Sequence, residues 1–211
     1  MTLPFDQMKS LAATGDLIAY FGYGSLVNPA THRTPVLGYV PARLRGWRRS
    51  WVARPDWDEA QPLSLLSASP SNADHMLDGL LVFDHKSSLP SLDEREAGYQ
   101  RHAISVDALH IEIDVPNELP IFIYEAFPAA DDAANGLILQ SYLDAVLQGF
   151  DQMHGKGAIS RFVDTTDNFH TPILKDRTLP RYPRSVELTG DQKASIDATL
   201  AQFNWVELAR D

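Results

Sequence analysis

The chain contains no cysteine. Disulfide bonds, thiolate metal sites and cysteine nucleophiles are therefore excluded. It also lacks any apolar run near the roughly 18 residues that a membrane-spanning helix needs. The first residues do not combine a basic start with a long apolar segment, as a signal peptide would. These absences predict a protein without a membrane anchor or signal peptide, for which the cytoplasm is the expected location.

Basic residues are scarce, with 18 Lys and Arg against 28 Asp and Glu and a net charge of -10. This charge disfavours general binding to nucleic acids or anionic membranes, because the summed field repels phosphate groups. The exception is a basic stretch over residues 43–54. It could hold an acidic substrate or RNA, or it could form a solvated strand face neutralised by nearby carboxylates. Its arginines are Arg43, Arg45, Arg48, Arg49 and Arg54.

The periodicity of apolar residues predicts an α+β fold in a single domain over residues 1–211, with a C-terminal extension at about 165–211. Short strands joined by turns precede a helical region, which is typical of a mainly antiparallel, barrel-like sheet with flanking helices. Strands are expected within residues 17–21, 38–53, 63–68, 77–83, 101–115 and 119–127, and helices within 135–153, 155–164 and 189–209.

The stretch LIAYFGYGSL, residues 17–26, combines a predicted buried strand with a glycine turn. Gly22 and Gly24 tolerate backbone angles that other residues resist. The peptide N–H groups around Ser25 could therefore turn outward and converge on an anion such as a carboxylate, with the Ser25 hydroxyl as a further donor. The alternative is that the turn only carries the strand out of the core.

A short helix is predicted between residues 86 and 98. Ser91 and Glu94 fit a capping box, in which each side chain bonds a free backbone N–H at the start of a helix. Gly98 is well placed to end the helix. The helix is therefore expected to start near Ser91.

Glu96 is the candidate acid of this helix, because it shares a face with the apolar residues Leu89 and Leu92. Removing a carboxylate from water raises its pKa, and a glutamate raised towards about 6 to 7 is a useful proton acceptor at neutral pH. The alternative is a structural ion pair with Arg95 or Arg101. Periodicity alone favours neither interpretation.

Two of these motifs together resemble the gamma-glutamylcyclotransferase superfamily. The first is Tyr23-Gly24-Ser25-Leu26 after the first strand, and the second, about seventy residues later, is Leu92-Asp93-Glu94-Arg95-Glu96-Ala97-Gly98-Tyr99. In that family a YGSN or YGSL loop and a glutamate of an LDxxE segment share a pocket. The helix around Ser141-Tyr142-Leu143-Asp144 is similar to the family's helix with a pocket tyrosine, so the resemblance spans roughly residues 17–155.

The resemblance implies an enzyme that cyclises a γ-glutamyl group to 5-oxoproline and releases an amine or amino acid. The backbone of Gly24, Ser25 and Leu26 would hold the α-carboxylate of the substrate, and Tyr23 would line this cradle. Glu96 would take a proton from the α-ammonium group and deliver one to the departing amine. The expected partner is a small γ-glutamyl molecule, and the reaction requires no metal or other cofactor.

Three alternatives stay open at this stage. Tyr142 is expected to contact the substrate, or else to be a core tyrosine bonded to a carbonyl group. The extension at 165–211 could read the carboxylate of the leaving group through Arg177, Arg181 or Arg184, or it could be a surface strap. The whole chain could be a non-catalytic binding module for an acidic small molecule or a peptide carboxylate.

Overall fold

A computed structural model describes residues 3–54, 62–127 and 136–207. Helices α1 to α5 in these ranges are Phe5–Ala13, Leu89–Arg95, Gln140–His154, Ala158–Asp164 and Gly190–Leu200. Strands β1 to β12 are Leu17–Gly22, Gly38–Arg45, Trp47–Arg54, Leu63–Pro70, Met76–His85, Tyr99–Ile104, Leu109–His110, Ile121–Ala126, Ile138–Leu139, Thr166–Asp167, Ile173–Lys175 and Trp205–Glu207. No helix in the described ranges is both long and apolar enough to cross a bilayer.

The described residues form two compact units. The first comprises residues 3–23, 32–48 and 68–127, and the second comprises residues 24–31, 49–54, 62–67 and 136–207. The first unit holds a six-stranded sheet with the order β6-β8-β1-β5-β2-β7. All its neighbouring strands pair antiparallel except β1 and β8, which are parallel. The predicted α+β fold with a mainly antiparallel sheet is therefore confirmed.

Strand β1 lies in the middle of this sheet, between β5 and β8. All six of its residues are buried, including Ile18 and Phe21. A strand that is covered on both faces has no solvent side, which explains why its sequence is continuously apolar and does not alternate with polar residues.

Three sequence predictions are corrected in detail. The predicted capping box at Ser91 is wrong, because α2 already begins at Leu89 and Ser91 lies inside it. Pro90 explains the earlier start, since the first turn of a helix does not need the N–H that proline lacks. Helix α3 begins at Gln140, later than expected, and the last helix ends at Leu200 and is followed by β12.

Helix α3 is the centre of the second unit. Every residue from Gln140 to Phe150 is buried, and the core it forms includes Leu143, Val146 and Leu147. Such a helix is apolar on one side and must have partners for its polar residues on the others, because an unpaired buried polar group costs about 1–3 kcal/mol.

Residues of the C-terminal extension supply several of these partners. The N–H and Oγ of Ser141 both donate hydrogen bonds to the carboxylate of Asp176, which is fully buried. Asp144 forms an ion pair with Arg177, with 2.7 Å between Oδ2 and Nε. The extension is thus built into the core of the second unit, and the surface-strap alternative is wrong for these residues.

Gly149 of α3 allows the helix to approach the segment around Asn28. A Cβ atom at Gly149 would lie 2.6 Å from the backbone nitrogen of Asn28 and 2.7 Å from its Cα. Backbone atoms in a buried turn cannot move aside cheaply, so the helix must shift if this position carries a side chain.

We expect Gly149→Ala to lower the free energy of unfolding by about 1–3 kcal/mol, the usual cost of overpacking. The matched control is Gly190→Ala at the start of α5, where nothing lies within 4 Å of the added methyl group. Urea unfolding followed by fluorescence should show the control as stable as the parent chain, or slightly more so. Equal stability of the two variants would contradict the predicted clash.

Candidate functional site

The glycine turn follows directly after strand β1 and continues into a short 3-10 helix, Ser25–Val27. The carbonyl groups of Gly24 and Ser25 accept hydrogen bonds from the N–H groups of Val27 and Asn28. In the described part of the chain, the N–H groups of Gly24 and Ser25 form no hydrogen bond. Backbone N–H groups without an intrachain partner can bind an anion, and the anion site expected at this turn stays a prediction.

Gly24 lies against the side chains of Tyr142 and Leu66. A Cβ atom at Gly24 would be 3.1 Å from the Tyr142 hydroxyl oxygen and 3.3 Å from Cδ1 of Leu66. The structure therefore brings together two predicted site residues that are separated by more than a hundred positions in the chain. A side chain at this position would be in tighter contact than usual, so the phenol would have to move by a few tenths of an ångström to admit it.

Asn28 anchors the turn to helix α3. Its Nδ2 donates to the carbonyl of Ala145 and to Oε1 of Gln148, both at 2.9 Å. Its Oδ1 accepts from the N–H of Ala30 at 3.0 Å, and the residue is only 1% exposed. This role was not predicted, because an Asn-Pro dipeptide is typical of any turn and carries no sign of a distant partner.

The ring of Tyr142 contacts those of Trp51 and Tyr182, with centroid separations of 5.9 and 4.9 Å. We call these three residues the aromatic row. Tyr142 and Tyr182 are almost fully buried, and Trp51 is 2% exposed. The indole Nε1 of Trp51 has no hydrogen-bond partner among the described residues. Neither Trp51 nor Tyr182 was predicted, since an aromatic residue in a strand or among prolines is most often a packing residue.

Tyr23 belongs to the first unit and is buried there. Its hydroxyl donates a short hydrogen bond to the backbone carbonyl of Tyr124. The hydroxyl therefore fixes the end of strand β1 to strand β8, and the lining role expected of Tyr23 stays a prediction.

Glu96 also belongs to the first unit and lies immediately after the last residue of α2. Its side chain is 18% exposed, although Glu96 lies outside the helix whose apolar face it was predicted to share. Oε1 of Glu96 lies 3.2 Å from Nε of Arg95. Arg101, the other expected partner, instead pairs with Asp93 at 2.6 Å.

Tyr20 of strand β1 is buried in the first unit. Burial raises the pKa of Tyr20 well above its ordinary value, and the negative charges of Asp84 and Glu96 add to this effect, while Arg95 opposes it. The phenol therefore stays protonated and can donate a hydrogen bond. Tyr20 was not predicted as a site residue, because it stands within a continuously apolar strand where nothing in the pattern distinguishes it.

The basic stretch at residues 43–54 is not a continuous surface. Arg43 and Arg45 are exposed, but Arg49 is fully buried in the second unit. Its guanidinium carbon lies 3.9 Å from the ring centroid of Phe162, and its Nε donates to Thr166. An arginine packed in this way supports the core and is not presented to RNA.

No group of three or more His, Asp or Glu side chains suited to a metal ion occurs in the described ranges. The predicted site residues fall into two sets. Gly24, Ser25, Leu26 and Tyr142 belong to the second unit, and Tyr23 and Glu96 belong to the first.

Comparisons with known proteins identify the fold. No family model matches the sequence, and no curated protein does. A solved structure named gamma-glutamyl cyclotransferase matches this chain with a TM-score of 0.53 and 13% sequence identity. The match includes 87% of this chain and 99% of that one. The crystal structure of YkqA from Bacillus subtilis matches it with a TM-score of 0.50 and 16% sequence identity. That match includes 74% of this chain and 58% of YkqA. This chain therefore has a gamma-glutamyl cyclotransferase-like fold.

Proposed function

We propose that the protein is an enzyme of the gamma-glutamylcyclotransferase type. It cyclises the γ-glutamyl group of a small molecule to 5-oxoproline and releases an amine or amino acid. The observation that carries the proposal is the glycine turn, in which Tyr142 lies against Gly24 and the N–H groups of Gly24 and Ser25 form no hydrogen bond within the described part of the chain. Glu96, whose side chain is 18% exposed, is the carboxylate proposed for the chemistry.

The turn binds the α-carboxylate of the substrate. The N–H groups of Gly24, Ser25 and Leu26 donate hydrogen bonds to this carboxylate. The ring of Tyr23 lines the cradle that these donors form. A charge-assisted hydrogen bond to a shielded N–H is stronger than its counterpart in water. Tyr142, which lies against Gly24, orients the bound γ-glutamyl group.

Glu96 moves the protons of the reaction. Its carboxylate accepts a proton from the α-ammonium group of the substrate, and the freed amine attacks the γ-carbonyl carbon. A new C–N bond closes the five-membered ring, and Glu96 gives its proton to the leaving nitrogen as the former amide C–N bond breaks. The second proton of the ring nitrogen also passes to the departing amine, which leaves as an ammonium group. Because nucleophile and electrophile belong to one molecule, the protein mainly has to fold the substrate for attack.

Glu96→Gln tests the acid-base role. We expect kcat for 5-oxoproline release to fall at least about 100-fold, because general acid-base catalysis contributes about 10²- to 10⁴-fold. The control is Glu94→Gln, two residues earlier in α2, where the side chain is exposed. This variant should leave kcat unchanged. If Glu96→Gln folds normally and matches the parent rate, Glu96 has no part in the chemistry.

Gly24→Ala tests the turn. The added methyl group presses on the Tyr142 hydroxyl, and that ring is held by Trp51 and Tyr182 and cannot yield freely. We expect kcat/KM to fall about 10- to 100-fold, the range caused by displacement of a positioning group. Gly190→Ala adds the same methyl group in α5 and should keep full activity. An active Gly24→Ala variant would remove the turn from the site.

A panel of γ-glutamyl amino acids, peptides and amines measures the function itself, with 5-oxoproline as the product detected. Release from at least one compound is the expected result. Binding of γ-glutamyl compounds without any release would instead identify a non-catalytic binding module.

A further inference from the structure

The carbonyl groups of the glycine turn are bonded within the second unit. The Gly24 carbonyl accepts a hydrogen bond from the N–H of Val27 at 3.0 Å. The Ser25 carbonyl accepts one from the N–H of Asn28, also at 3.0 Å. Thr31 supplies a second donor to the Ser25 carbonyl, with 2.6 Å between the hydroxyl oxygen and the carbonyl oxygen. Because a carbonyl oxygen has two lone pairs, both acceptor positions of Ser25 are used.

Thr31 closes the short 3-10 segment Pro29–Thr31 and is 1% exposed. Its N–H and its hydroxyl both donate to the carbonyl of Asn28, each at 2.9 Å. The hydroxyl proton is thus shared by two carbonyl oxygens, and the shorter distance favours Ser25. Since the Thr31 side chain is shielded from solvent, any influence that it has on a bound molecule passes through these carbonyl groups.

The peptide unit between Ser25 and Leu26 carries this influence to the donors of the turn. A peptide unit is planar and trans, so its N–H points opposite to its C=O. The two donors at the Ser25 carbonyl therefore fix the direction of the Leu26 N–H. If this unit rotated, the carbonyl oxygen would take the place of the N–H and repel an anion.

We propose that Thr31 is a positioning residue of the glycine turn. Its hydroxyl holds the Ser25–Leu26 peptide with the N–H directed at the α-carboxylate of the substrate. A second bond to one carbonyl makes rotation of the peptide more costly, because both bonds must break before the carbonyl can turn. This inference rests on the proposed function, in which the turn binds that carboxylate.

The test measures binding of 5-oxoproline and of 5-oxoprolinamide by calorimetry. The two compounds differ in one group, which is a carboxylate in the first and a neutral amide in the second. Thr31→Val replaces the hydroxyl with a methyl group of similar size and leaves one donor at the Ser25 carbonyl. We expect its Kd for 5-oxoproline to rise about 3- to 10-fold, the size of one net hydrogen bond, and its Kd for the amide to change less than about twofold.

Two further variants separate positioning from stability. Thr31→Ser keeps the hydroxyl and should restore the parent Kd. Thr166→Val is the matched control, because Thr166 is also buried in the second unit and its hydroxyl donates to the carbonyl of Phe162, away from the turn. This control should lower the free energy of unfolding and bind both compounds as the parent chain does. A Thr31→Val variant that weakens both compounds equally, or neither, overturns the positioning role.

Amide-resolved NMR of the parent chain gives a second measurement that needs no variant. Saturation with 5-oxoproline should shift the Leu26 amide proton downfield, and saturation with 5-oxoprolinamide should shift it less, because a charged acceptor forms the stronger hydrogen bond. A Leu26 signal that 5-oxoproline leaves in place overturns the inference.

Assays of 5-oxoproline release distinguish this inference from the proposed function. Carboxylate-selective loss of binding in Thr31→Val, without release from any γ-glutamyl compound by the parent chain, supports the Thr31 role and overturns the cyclisation. Release by Thr31→Val with the kcat/KM of the parent chain overturns the Thr31 role and supports the cyclisation. If the parent chain binds neither compound and releases no 5-oxoproline, both proposals are overturned.

Discussion

The close contact between Asn28 and helix α3 is the constraint on which the candidate site depends. The Asn28 amide is bonded to Ala145 and Gln148, and Gly149 leaves no space for a side chain between helix and turn. A hydrogen-bonded, close-packed contact of this kind admits one relative position only. Since Tyr142 stands on the same helix, the contact also fixes the distance between the N–H groups of the turn and the phenol.

The position of α3 in turn depends on the C-terminal extension. Ser141 and Asp144 flank Tyr142 in the chain, and they are bonded to Asp176 and Arg177. Leaving one of these buried charges without its partner would cost several kcal/mol. Burial raises the pKa of Asp144, while the Arg177 guanidinium acts against this shift. The extension therefore holds the helix that carries Tyr142, in addition to supplying Tyr182 to the aromatic row.

The parts of the structure that follow from local pattern could be predicted from the sequence. Strand β1 was recognised by its apolar run, whereas the helical spacing used for Glu96 does not apply, because α2 ends at Arg95. Asn28, Trp51 and Tyr20 could not be recognised, because each is important through a contact with residues distant in the chain. The capping box at Ser91 failed for a related reason: Ser88 bonds Asp84 instead, and Pro90 allows an earlier first turn.

Buried polar groups in the second unit divide into two kinds. Ser141, Asp144 and Asp176 are bonded within the chain, which is the ordinary state of polar atoms in a core. The indole N–H of Trp51 and two guanidinium nitrogens of Arg184 have no such bond among the described residues. Trp51 contacts Tyr142, whose hydroxyl lies against Gly24, whereas Arg184 contacts Tyr182. Because a buried donor without an acceptor costs about 1–3 kcal/mol, the packing of the aromatic row must offset the donors that folding leaves unpaired beside it.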